Sequence, residues 1–117
     1  MNEFGSYLRK KRERLLLGDK RFSLRQVAGR VGIEPTYLSK IELGDLAPPS
    51  EQVIRKLAAE LDENPDILLA LGGKVSQDLK DIIMKRPELM ADLLRQMKDM
   101  PDHAVFRIVR VVKDGDW

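Results

Sequence analysis

The side chains that most often carry out chemistry are thinly spread in this chain. His103 is the sole histidine, and there is no cysteine. A single histidine beside a helix start is far more often a surface or capping residue than a ligand. Asp78, Asp81, Glu88 and Asp92 are scattered over helix surfaces and form no convincing acid pair. Met84, Met90, Met97 and Met100 recur at helical spacing, which suits a core or an interface. Nothing has the spacing of a phosphate-cradling glycine loop, a zinc site or a nucleophile triad. The expectation is therefore no cofactor, no metal and no enzymatic activity. The groups that do cluster are hydrogen-bond donors. Thr36, Tyr37, Ser39 and Lys40, with Leu43 beside them, make the outward face of one short helix. The positive end of that helix and its hydroxyls suit phosphate, and its longer side chains can reach base edges in a groove.

Two short helices and a turn must hold that face. Ser23 is a good N-cap, and Leu24, Val27, Ala28 and Val31 then fall on one side of a helix that Gly32 stops. Ala28 is small where the two helices cross. Pro35 is tolerated only in a first turn, so the next helix begins at Glu34 or Pro35. Its inward positions are Leu38 and Ile41, and Gly44 ends it.

Further helices brace this pair. Phe4 to Leu17 carries Phe4, Leu8 and Leu15, with Tyr7 flanking, at spacings of three to four, and Gly18 is its expected stop. Asp19-Lys20-Arg21 reads as a polar connector. After the stiff Ala47-Pro48-Pro49 segment, Ser50 caps a fourth helix with the stripe Val53, Ile54, Leu57, Ala58 and Leu61. Asn64-Pro65 opens a fifth, with Ile67, Leu68 and Leu71 expected inward and Gly72-Gly73 closing it. Beyond it, Ser76 caps residues 77–85 and Pro87 opens a helix to about Lys98. Pro101-Asp102 then begins a segment rich in β-branched residues. Ile108 and Val109 are adjacent, as are Val111 and Val112, so strict alternation fails and a helix is favoured over a strand.

Bulk properties agree with a small α-helical protein. The chain has 117 residues and a net charge of +2, unevenly placed. Residues 1–40 hold ten Lys/Arg against four Asp/Glu, residues 41–73 two against seven, and residues 74–117 nine against eight. The basic excess lies where a polyanion would be met. Absence of cysteine fits a reducing compartment, and no apolar run approaches the roughly 18 residues of a membrane span. The N-terminus lacks the apolar core of a secretory signal, so a cytoplasmic location is expected.

The stretch SLRQVAGRVGIEPTYLSKIELGDLAPPSEQVIRKLAAEL resembles the helix-turn-helix of the lambda-repressor-like superfamily, the Xre or Cro/C1 type of regulator. The resemblance covers about residues 4–72. It rests on Ala28, Gly32, the run Tyr37 to Glu42, Gly44, the proline before the fourth helix and the run Leu57 to Leu61. It implies an all-α, five-helix DNA-binding domain at residues 1–73, followed by a helical extension at 74–117. It further implies a dimeric, sequence-specific transcriptional regulator, a repressor, reading double-stranded operator DNA with its third helix in the major groove. By position, Thr36 and Lys40 would read base edges, and Pro35 would offer only apolar contact. Ser23, Gln26, Tyr37 and Ser39 would hold phosphates or set register, with backbone contacts from Arg25 and Arg9. Arg12 and Glu42 correspond to a scaffold pair tying the first helix to the third. The chain departs from the pattern at Leu43, where many relatives carry Arg or Asn, at Asp45, and in the long Leu17–Phe22 connector.

The extension has apolar stripes to bury, and some 40 residues is near the lower limit for independent folding. The resemblance favours a homodimer, with Leu89, Leu93, Met97, Val105, Ile108, Val109 and Val112 supplying the contact and Trp117 an anchor. Packing onto the N-terminal domain is the intramolecular alternative. A different class of function is an antitoxin-like or protease-regulated interaction protein whose C-terminal segment binds a partner protein.

Overall fold

The computed structural model describes residues 3–115 and 117; the first two residues of the expected N-terminal domain lie outside the described residues. Among the described residues the chain is all-helical: α1 Glu3–Leu16, α2 Leu24–Val31, α3 Pro35–Leu43, α4 Glu51–Glu60, α5 Pro65–Leu71, α6 Gln77–Lys85, α7 Pro87–Met97 and α8 Asp102–Lys113. A single 3-10 turn, Lys20–Phe22, sits between α1 and α2. The chain divides into two compact units, Met1–Ser76 and Gln77–Trp117.

Local chemistry sets the helix ends of the first unit. The Ser23 hydroxyl accepts the Gln26 N–H at 3.3 Å, and the Ser50 hydroxyl accepts the Val53 N–H at 3.3 Å. Asn64 Oδ1 accepts the Asp66 N–H at 2.8 Å, and Pro65 takes the first helical position, where no N–H is needed. The polar connector is more ordered than its composition suggests. Asp19 caps the 3-10 turn by accepting the Arg21 N–H at 2.9 Å, and the Ser23 N–H returns to the Lys20 carbonyl at 3.2 Å.

Apolar faces of five helices then meet in one core. Phe4 and Leu8 from α1, Val27, Ala28 and Val31 from α2, Leu38 and Ile41 from α3, Ile54, Leu57 and Ala58 from α4, Leu61 just after it, and Leu68 and Leu69 from α5 are all buried. The inward face of α5 differs from expectation. Ile67 is 49% exposed, and Leu69 is buried in its place. Residues 67–71 are almost uniformly apolar, so their pattern carries no phase. The packing of α5 against α4 and α1 sets it instead.

One close approach shapes this unit. Gly5 is buried where α1 meets the end of α3, and a Cβ there would stand 2.2 Å from the Ile41 carbonyl oxygen and 2.8 Å from that of Glu42. Only a residue without a side chain lets the two backbones come so near. The unit closes at Ser76, which is buried and accepts a hydrogen bond from Arg55 Nη2.

In the second unit α6 packs against α7, and residues 102–113 form a helix. No side chain of α6, α7 or α8 is fully buried.

Candidate nucleic-acid interface

The turn between α2 and α3 aims the outward face. Gly32 adopts φ +85°, the left-handed conformation that glycine takes without strain. This lets the Gly32 and Ile33 N–H groups both return to the Ala28 carbonyl, at 2.9 and 3.0 Å. Such a reversal closes α2 on the Ala28 carbonyl and turns the chain at once into α3. Gly44, at φ +80°, ends α3 in the same way.

Helix α3 is split cleanly into two faces. Leu38, Ile41 and Glu42 are buried. At 100° per residue Thr36, Lys40 and Leu43 lie opposite them, and all three are exposed. Pro35, Tyr37 and Ser39 are half-buried on the flanks, and the Tyr37 ring packs against the core. The Glu34 side chain makes no capping hydrogen bond, so it takes up none of the first-turn N–H groups. An incoming anion can use them.

A buried ion pair fixes the angle at which this helix is held. Arg12 Nε donates to Glu42 Oε2 at 2.7 Å and its Nη2 to Glu42 Oε1 at 2.9 Å. A third donor, Nη1, meets the Phe22 carbonyl at 3.2 Å. The side chains are 8% and 3% exposed, so the pair ties α1, the 3-10 turn and α3 together out of reach of water. Both residues are therefore scaffold, as the resemblance implied.

The cations around α2 sort by whether they are already engaged. Arg30 lies over the Phe22 ring, 5.8 Å from its centroid, donates to the Arg21 carbonyl at 2.6 Å and pairs with Glu60 at 2.6 Å. Arg21 pairs with Asp19 at 2.8 Å, which holds the Asp19 carboxyl below the usual range, helped by the Arg21 N–H. Arg9 pairs with Glu13 one turn along α1 at 2.6 Å, raising its own pKa and lowering that of Glu13. Arg25 and Lys40 are exposed and carry no ion pair among the described residues. Both are thus open to an outside anion. Gln26 is exposed one residue beyond Arg25, and Ser23 is half-buried at the start of the same helix. The Ser23 oxygen accepts the Gln26 N–H, which leaves its own O–H free to donate outward.

The structure thus brings Pro35, Thr36, Tyr37, Ser39 and Lys40 together on α3, with Ser23, Arg25 and Gln26 on the helix before it. Arg9 lies on α1 and is already paired with Glu13. Leu43 completes the exposed α3 stripe with an apolar side chain 58% exposed. Gly5, at the close approach of α1 to the end of α3, carries no local signal in the sequence, because nothing in its neighbours marks a glycine inside a helix as a contact point. The eight residues expected at a dimer contact all lie in the second unit: Leu89, Leu93, Val109, Val112 and Trp117 are exposed, while Met97, Val105 and Ile108 are half-buried.

Among the described residues no group of three His, Cys, Asp or Glu is placed to hold a metal, and no helix is long and apolar enough to cross a membrane. No curated protein and no solved structure matches the chain. A family model described as a helix-turn-helix domain matches residues 3–68, a span that starts with α1, runs through the Gly32 turn and takes in α3 and α4 before ending in α5. With that match, and with α2 and α3 joined as they are here, the chain belongs to the helix-turn-helix domain family, in keeping with its resemblance to the lambda-repressor-like regulators.

Proposed function

We propose that this protein is a sequence-specific DNA-binding regulator of transcription, a dimeric repressor of the Xre kind that lays α3 in the major groove of its operator. The observation that carries the reading is the exposed stripe of Thr36, Lys40 and Leu43, held on a helix whose opposite face is locked by Leu38, Ile41 and the Arg12–Glu42 pair. Lys40 suits the acceptor edge of guanine, and the Thr36 hydroxyl suits either a donor or an acceptor edge. Pro35 and Leu43 offer apolar surface to a thymine methyl. Ser23, Arg25, Gln26, Tyr37 and Ser39 hold the phosphates on either side, and Arg9 joins them only by leaving Glu13. The DNA-binding domain comprises residues 1–73, and residues 74–117 form a separate segment that joins two copies. The protein acts in the cytoplasm, by binding alone, without metal or cofactor.

Competition binding with a high-affinity site tests it. Lys40→Ala should lower affinity for the preferred site about tenfold or more and relax the preference at one base position, while the fold stays intact. An unchanged preference would remove Lys40 from the reading surface.

A second reading has its own observation. No side chain of α6–α8 is buried, although the segment is rich in Leu, Ile, Val and Met. In an antitoxin-like or protease-regulated protein this segment would instead hold a different protein. That reading requires a partner that co-purifies in fixed ratio and is lost when residues 77–117 are removed.

A further inference from the structure

The second unit cannot satisfy itself. Helix α8 has twelve residues, of which Val105, Ile108, Val109, Val111 and Val112 are β-branched and poor helix formers. A helix of that length is marginal in water without packing. Neither α6 nor α7 packs extensively against it. Among the described residues twelve large apolar side chains of the unit stand exposed, Leu89, Leu93, Phe106 and Val109 among them, and an apolar surface of this kind calls for a partner.

Charge says what covers them. On α8, Phe106 and Val109 share one face, 70% and 43% exposed, and Arg107 and Arg110 form the cationic edge beside it. Neither arginine has an ion pair among the described residues. On α7 the exposed Leu89 and Leu93 form a ridge, 63% and 43% exposed, and Glu88 and Asp92 form an acidic edge beside it. Glu88 has no partner among the described residues, and Asp92 receives only the Gln96 amide, at 3.5 Å. Within each helix the two charges are about one turn apart, as are the two apolar residues. The faces therefore complement one another in apolar surface, in charge and in spacing.

We infer that α7 of one chain docks on α8 of a second copy, Leu89 and Leu93 against Phe106 and Val109, with Glu88 and Asp92 facing Arg107 and Arg110. The pairing is reciprocal, because a two-fold axis brings each surface to its complement twice. This rests on the homodimer proposed above and specifies its chemistry. Complementary charge sets register and excludes other partners, while the apolar ridge supplies most of the affinity.

Sedimentation of full-length chains tests it. The wild type should be a dimer at micromolar concentration. Arg107→Glu with Arg110→Glu should weaken association about tenfold or more, and Glu88→Arg with Asp92→Arg should do the same. All four changes together should restore it to within about threefold of wild type. Lys80→Glu with Lys85→Glu on α6 is the control for net charge and should leave association unchanged. Circular dichroism on each variant separates lost association from lost folding, and the restored fourfold variant excludes misfolding as the cause. A monomeric wild type would overturn the homodimer itself and this interface with it. A wild-type dimer indifferent to both reversals, or equally sensitive to the control, would overturn the interface and leave the homodimer standing. So would a dimer that persists in the Arg107→Glu/Arg110→Glu variant while its DNA affinity falls, which would assign the arginines to phosphate.

Discussion

At the scale of single residues, the placement of α3 depends on groups that lie behind its exposed face. Gly5 is the sharpest case. Gly5→Ala puts a methyl 2.2 Å from a backbone carbonyl oxygen, and neither helix can yield without moving the core. Overpacking of this kind costs about 1–3 kcal/mol or more, and urea unfolding should show it. Arg12→Leu should be more severe, at about 3–5 kcal/mol, because it strands the Glu42 carboxylate out of water. Replacing both partners with apolar residues should recover much of the loss. The Asp19 carboxyl is lowered chiefly by the Arg21 guanidinium and then by the Arg21 N–H. A lowered carboxylate stabilises the fold above its unfolded pKa and loses that contribution as pH falls through its folded one. Asp19→Asn should therefore be less stable than wild type near neutral pH, and the gap in denaturation midpoint should close well below about pH 4.

At the scale of elements, the helix-turn-helix was legible because its punctuation is local. Ser23, Gly32, Pro35 and Gly44 act through their own backbone or the next turn, so their roles follow from residue type and spacing. Gly32→Ala tests this. Beyond its own chain neighbours no heavy atom lies within 4 Å of the added Cβ, so the cost should be the left-handed conformation alone, about 1–2 kcal/mol by chemical denaturation. What was illegible is tertiary. The orientation of α5 is not written in its sequence, because Ile67 to Leu71 offers apolar side chains on every side, and only contact with α4 and α1 selects Leu69 over Ile67. The 3-10 turn hid in a polar connector because its order comes from Asp19 and from Arg12 reaching the Phe22 carbonyl from another helix. Asp62 takes φ +54° after α4, a glycine-like conformation that the sequence marks with no glycine. The exposed stripe of α3 could be read in advance, since the buried positions Leu38 and Ile41 fix its phase. The state of each surrounding cation could not. Whether Arg9, Arg21, Arg25 or Arg30 is engaged depends on partners as distant as Glu60.

At the scale of the whole molecule, one unit carries its own core and the other carries apolar surface without one. Shortening the chain after Ser76, the last residue buried in the first unit, should leave a folded protein that sediments as a monomer. A shortened chain that still dimerises would move the interface onto α1–α5. With phosphates held as proposed, DNA affinity should fall steeply with salt, and less steeply for the shortened chain than for a full-length dimer, which a salt titration of binding checks. Whether α3 reads DNA is decided by selecting bound sites from a random duplex library with the full-length protein. An inverted repeat with half-sites about 10 base pairs apart, or a multiple of that, centre to centre, should be enriched. A library that emerges with no enriched sequence would contradict this reading of α3.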